Sequence, residues 1–181
     1  EALGQKIYKK NCGSFGDIST FSFYANKQIT TGEGGMITTN NKTTYQKMLS
    51  LRNLCFGTKD RFNHNDIGWN YRMTNIQATL GLSQLKRIKS IVSTRHSVGL
   101  KYYDNLKTNN NIYIPEPKKK FAKNIYWVVA ILIKNNKINL DAKNVMHKLN
   151  NLGIGTRPFF WPMHKQKILK NLKLESSKKF I

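Results

Sequence analysis

Lys27 stands at the end of Ser22-Phe23-Tyr24-Ala25-Asn26-Lys27 and just ahead of Gln28-Ile29-Thr30-Thr31-Gly32-Glu33-Gly34-Gly35-Met36. A single amine is thus set between an apolar, strand-like stretch and a glycine-rich turn. Withdrawal from water favours the uncharged form of an amine and frees its lone pair for attack on a carbonyl carbon, so the arrangement reads as a Schiff-base lysine. The bland alternative is a strand-edge lysine that blunts pairing with another chain. Gly32, Gly34 and Gly35 give the backbone a tight path through positive φ beside the amine. They are no phosphate fingerprint, because neither G-x-G-x-x-G nor G-x-x-x-x-G-K occurs in the chain.

The elements that must carry this lysine can be read around it. Residues 17–24, rich in Phe, Tyr, Thr and Ile, read as a buried strand; a turn follows at 32–35, and residues 36–39 make a second short strand. Asn40-Asn41-Lys42-Thr43 supplies a turn and a helix cap, after which Tyr45, Met48, Leu49 and Leu51 fall at helical spacing. Residues 52–66 are polar and irregular, as in an exposed loop. Thr74 or Asn75 caps a long helix whose apolar positions Ile76, Ala78, Leu80, Leu82, Leu85, Ile88 and Ile91 would hold it against a core, continuing to Leu106. Asn109-Asn110-Asn111 ends that region, and a boundary near residue 112 is expected. Residues 126–133, almost continuously apolar, give the strongest strand signal and imply burial on both faces or a buried helical segment. Residues 139–152 read as an amphipathic helix with Val145, Leu149 and Leu152 inward and Gly153 at its end.

Composition bounds the function classes. The 181 residues include 39% hydrophobic and 11% aromatic side chains, enough for a globular core despite a mean hydropathy of −0.53. Cys12 and Cys55 share no ligand spacing, nor do His64, His96, His147 and His164, so free thiols and no metal site are expected. No apolar run reaches the length of a membrane span, and Glu1-Ala2-Leu3-Gly4-Gln5-Lys6 lacks the layout of a secretion signal, which makes the cytosol the expected compartment. The 31 basic against 9 acidic residues give a net charge of +22 and raise the possibility of a polyanionic partner. The basic residues are spread along the chain and interleaved with Asn, a pattern better explained by A/T-rich coding than by a binding stripe, so no specific nucleic-acid partner is expected.

Two long motifs carry a family resemblance. Ser22-Phe23-Tyr24-Ala25-Asn26-Lys27 with Thr30-Thr31-Gly32-Glu33-Gly34-Gly35-Met36, followed by Gly68-Trp69-Asn70-Tyr71-Arg72-Met73-Thr74-Asn75-Ile76-Gln77-Ala78, resembles the DegT/DnrJ/EryC1/StrS family of nucleotide-sugar aminotransferases. Asn124-Ile125-Tyr126-Trp127 and Gly153-Ile154-Gly155-Thr156-Arg157-Pro158-Phe159-Phe160-Trp161-Pro162-Met163-His164 resemble the small-domain strand and substrate loop of its perosamine-synthase-like members. The resemblance implies an α/β fold, that of a pyridoxal-phosphate-dependent transferase of the aspartate aminotransferase type (fold type I), present in part. Residues 1–111 would be part of the large cofactor-binding domain with its long linking helix, and residues 112–181 part of the small C-terminal domain.

By the same resemblance Lys27 forms the internal aldimine with pyridoxal 5'-phosphate and then moves protons between cofactor and substrate carbons. Related dehydratases have histidine there, so lysine favours transamination. Ser22 corresponds to the serine that bonds the cofactor phosphate, although a strand serine bonded to backbone is the plain alternative. Asn70 corresponds to the asparagine that reaches the cofactor phosphate of the other subunit, which implies a homodimer with a shared site; a turn residue stabilising its own backbone is the alternative. Arg72 could bind an anion or clamp neighbouring carbonyls. Arg157, Phe159, Trp161 and His164, with Phe160, form a loop suited to a sugar ring and its diphosphate, or simply a packed small-domain loop. Tyr126 and Trp127 are expected in the core.

Departures from the family matter as well. Its full-length members are roughly twice this long. The aspartate that pairs with the pyridine nitrogen, an earlier Gly-Thr segment and a ring-holding aromatic residue cannot be placed on this sequence, and residues 176–181 stop before the family's last strands and helices. The expectation is therefore an incomplete enzyme, slow by itself. Its reaction would transfer an amino group, from L-glutamate as in the family, to the C4 keto group of a nucleotide-linked 4-keto-6-deoxy sugar of the perosamine or viosamine type. A noncatalytic fragment of such an enzyme is the alternative, and a basic nucleic-acid binder the weakest one.

Overall fold

The β-branched Ile18 and Thr20 and the aromatic Phe21 favour β3 (Ile18–Ser22), which pairs antiparallel with β4 (Gly35–Thr39) in the register Ile18↔Thr39 to Ser22↔Gly35. The computed structural model describes residues 1–57, 61–134 and 141–169. Before this ribbon comes a small one, β1 (Lys6–Ile7) with β2 (Lys10–Asn11). After it come α1 (Lys42–Arg52), α2 (Asn75–Leu85) and α3 (Ile88–Leu106), then β5 (Ile112–Tyr113), β6 (Leu132–Ile133) and α4 (Ala142–Asn151). Short 3₁₀ turns follow at Met163–Lys165 and Lys167–Leu169. Contacts divide the chain into two compact units, residues 1–108 with 114–129 and residues 109–113 with 130–181.

The strand, turn, strand, helix order around Lys27 forms as its sequence suggests, but β3 ends at Ser22 and none of its side chains is buried, so the buried strand expected over 17–24 is corrected to a shorter, half-exposed one. Asn41 caps α1 by accepting the Thr44 amide at 2.9 Å. Among the turn glycines, Gly32 (φ +78°) and Gly34 (φ +147°) use the backbone freedom expected of them. Gly35 does not; it is glycine because a Cβ there would meet the Phe21 carbonyl oxygen at 2.8 Å. The buried side chains of this unit, Phe23, Gln28, Ile29, Thr31, Cys55, Ile114 and Tyr126, include four from the segment that holds Lys27.

The long helix expected from Thr74 to Leu106 is two helices. Thr74 starts α2 with a capping box closed by Gln77, but the Arg87 amide bonds back to Gln84 at 2.9 Å, a three-residue step that ends the α ladder before α3 begins. Nor does α2 pack by its leucines. Ile76, Leu80, Leu82 and Leu85 are exposed, and contact is made where side chains are smallest. A Cβ on Gly81 would stand 2.9 Å from Thr31 Cγ2, and one on Gly99 of α3 would stand 2.2 Å from the Tyr126 ring. Steric vacancy, rather than hydropathy, chose these contact faces.

The strand expected over 126–133 is also corrected. Tyr126 has φ +50° and its amide donates to Asn124 Oδ1 at 2.8 Å, so the chain turns there instead of extending. Only β6 remains as strand, and it pairs with β5 within the second unit. In that unit α4 is capped by Asp141, whose side chain accepts the Asn144 amide at 2.8 Å, and is closed at Gly153 (φ +76°) by the Ile154 amide bonding to Leu149 O at 2.9 Å. Val145 and Leu149 are half-buried, whereas Leu152 is exposed. The expected start of this helix at Asn139 and Leu140, and the expectation concerning residues 176–181, lie outside the described residues.

Candidate active site

The Lys27 amine is held from two directions. Its Nζ donates to Glu1 Oε1 at 2.5 Å, and the same nitrogen lies 4.1 Å from the centre of the Trp127 indole. The side chain is only 11% exposed. That hydrogen bond from Lys27 is the main reason the Glu1 carboxyl lies below the ordinary carboxylate range. Gln28, buried beside it, donates its side-chain amide to the Glu1 carbonyl.

The backbone carrying Lys27 is pinned as tightly as the amine. The Lys27 amide donates to the Tyr24 carbonyl at 3.0 Å, and the Thr31 amide to the Phe23 carbonyl at 2.9 Å. Gln84 of α2 reaches the same loop, its Nε2 donating to Thr30 O at 2.7 Å while its Oε1 accepts the Thr30 amide at 3.0 Å. From α3, Arg95 donates to Lys27 O at 3.3 Å and to Trp127 O at 3.0 Å. The Trp127 indole in turn donates to Asn26 O at 3.0 Å.

Ser22 ends β3 opposite Gly35 with its hydroxyl at the surface, where it accepts the Tyr24 amide at 3.4 Å. The hydroxyl proton can therefore point outward to an anion. The alternative of a strand serine bonded to backbone is met in its bonding but not in its burial. Asn70 is exposed on the loop before α2, bridged to Asn53, and its Oδ1 accepts Arg72 Nε at 2.9 Å. The Arg72 side chain thus binds a neighbouring side chain rather than carbonyls. Its partner's NH₂ group and the guanidinium form a cluster of donors facing solvent. Trp69 and Tyr71 stack beside them with centroids 6.0 Å apart.

The remaining candidates belong to the second unit. Arg157 donates to the Thr156 carbonyl at 2.8 Å, Phe159 and Phe160 meet edge to face at 6.2 Å, and His164 sits in the first 3₁₀ turn. Phe159, Phe160 and Trp161 are 70–75% exposed, so the loop is an open aromatic surface rather than packed core. Tyr126 is buried as expected, but Trp127 is half-buried and polar in its bonding.

Glu1, Arg95 and Trp127 are the residues around Lys27 that local sequence reasoning misses. Their signal is tertiary: each comes from a distant stretch of chain, and none lies within a recognisable motif spacing of the lysine. Chemically, the first unit offers a shielded amine, a surface hydroxyl on the strand leading to it, and a glycine turn in which a Cβ on Gly32 would meet no described residue within 4 Å. This donor set suits a planar aldehyde that carries an anionic group.

Comparison with known proteins gives a consistent picture. The sequence model of the DegT/DnrJ/EryC1/StrS aminotransferase family matches residues 1–181. The chain is 40% identical over 164 residues to the GDP-perosamine synthase of Escherichia coli O157:H7, covering 91% of this chain and 43% of that protein. It is 35% identical to the GDP-perosamine synthase of Vibrio cholerae, covering 91% and 44%. Among solved structures, the Helicobacter pylori aminotransferase PseC, involved in the biosynthesis of pseudoaminic acid, superposes with a TM-score of 0.85 at 32% identity, covering 94% of this chain and 46% of PseC. The chain spans less than half the length of the relatives it matches.

Proposed function

We propose, because this chain belongs to the DegT/DnrJ/EryC1/StrS aminotransferase family, that it carries the lysine-bearing portion of an enzyme that transfers an amino group to the C4 keto group of a nucleotide-linked 4-keto-6-deoxy sugar. Its fold is part of fold type I, and the family depends on pyridoxal phosphate. The observation that carries the reading is the Lys27 amine, 11% exposed and held between Glu1 and the Trp127 indole on a loop pinned by α2 and α3.

Pyridoxal phosphate, when bound, supplies an aldehyde for covalent attachment and a ring that draws electrons from the carbon losing its proton. Lys27 Nζ is the attachment point and, once free, the group that takes a proton at one carbon and returns it at another. Leaving Glu1 Oε1 is the first movement this requires of it. Ser22 Oγ would donate to the phosphate, and Asn70 Nδ2 to the phosphate of a second copy, making a homodimer with a shared site. Exposed Ile67, Trp69, Tyr71 and Ile76 around Asn70 support an apolar contact with that copy. Arg157, with its planar fork, suits the diphosphate, while Phe159 and Trp161 suit the sugar and base faces and His164 a hydroxyl. The perosamine-synthase relatives support a GDP-linked substrate; L-glutamate as the amino donor and the cytosol as the compartment complete the reading by family resemblance alone.

Saturation with pyridoxal phosphate, borohydride reduction and peptide mapping test the reading. A reduced attachment at residue 27, absent in Lys27→Ala, is the expected result. Labelling spread over surface lysines with none at residue 27 would overturn it.

A further inference from the structure

We infer that Arg95 and Trp127 are positioning residues for Lys27, acting together as a clamp that presents its amine from one side; this rests on the reading of Lys27 as the attachment point. Three contacts converge on two adjacent residues. Arg95 donates to Lys27 O (3.3 Å) and Trp127 O (3.0 Å), so one guanidinium fork ties together two main-chain segments that lie far apart in sequence. Trp127 Nε1 donates to Asn26 O at 3.0 Å, which fixes the plane of the ring. That plane faces Lys27 Nζ at 4.1 Å.

Each contact has a separate consequence for the amine. The two-carbonyl bridge fixes where the lysine stem begins, since Lys27 cannot shift along its loop without breaking an Arg95 bond. Trp127 closes one side of Nζ and attracts it electrostatically, leaving approach to an aldehyde from the opposite side. Simple packing would need neither a fork nor a ring-bound N–H. A lysine at position 95 places a single point charge and can reach only one of the two carbonyls at a time, and a leucine at 127 fills volume without a π face.

The full chain is treated with limiting pyridoxal phosphate and borohydride, and the labelling of Lys27 relative to all other lysines is read by mass spectrometry, with helix content followed by circular dichroism. The expected result is a fall of about tenfold in that preference for Trp127→Ala, Arg95→Gln and Arg95→Lys, with helix content retained. Trp127→Phe, which keeps the ring face, restores the preference to within about twofold, whereas Trp127→Leu does not. Should the alanine variant unfold, Trp127→Leu and Arg95→Lys carry the same expectation. Preference unchanged or raised in the variants, with Lys27 labelled in the unaltered chain, overturns the clamp alone. No label at Lys27 in the unaltered chain overturns the functional reading and the clamp with it.

Discussion

At the scale of single residues, the pairing of Lys27 with Glu1 makes a pH-dependent prediction. The folded-state pKa of Glu1 lies below its ordinary value, chiefly through the hydrogen bond from Lys27. The unfolded chain therefore binds the proton first as pH falls, so the pair's contribution is full above the ordinary glutamate pKa and is lost as pH drops through the depressed one. Glu1→Gln should flatten this acid limb in a plot of urea midpoint against pH, and an unchanged limb would show that the pair is idle. Ser22→Ala should weaken pyridoxal phosphate binding by about tenfold, read as the concentration needed for half-maximal trapping, because one charge-assisted hydrogen bond is removed. The lysine itself was legible in the sequence, since the apolar run and the glycine turn that mark it are its immediate neighbours. Its partners were not: Glu1 lies 26 residues from Lys27, and Arg95 lies 68. No periodicity encodes a contact of that range.

Among elements, the two glycine contacts decide how closely α2 and α3 approach their neighbours. Gly99→Ala would drive a methyl into the Tyr126 ring and should cost about 2 kcal/mol in urea unfolding. Tyr126→Phe works in the other direction. Its hydroxyl is buried with no hydrogen-bond partner among the described residues, and burial pushes its pKa up, so removing the oxygen should leave stability unchanged or raise it by about 1 kcal/mol. A loss of more than that would mean the hydroxyl has a role in folding. Strand β3, the turn and the caps of α1, α2 and α4 could be read in advance because their signals are local. The break at residues 86–87 could not, since helical periodicity continues through it while the backbone steps to a three-residue bond. The same limit applies to 126–133, whose apolar run reads as a strand until Asn124 captures the Tyr126 amide.

For the molecule as a whole, charge is the dominant property. A net +22 from basic residues spread along the whole sequence should hold polyanions without reading them. Retention on a DNA column should therefore fall steeply with salt and be the same for unrelated sequences; sequence preference at moderate salt would revive the nucleic-acid reading. Composition showed a globular chain, and its motifs showed the family, because both signals survive without tertiary knowledge. What composition could not show is how much apolar surface this chain leaves uncovered, including Ile18, Met36 and Ile37 on the β3–β4 ribbon. Among the tryptophans Trp69, Trp127 and Trp161, the indole facing Lys27 Nζ has a consequence of its own. Bond-making at that nitrogen alters the electric field across a fluorophore already in place, so its emission would follow the event in real time without a dye. Phenylalanine at the other two positions would leave a single lamp beside the amine.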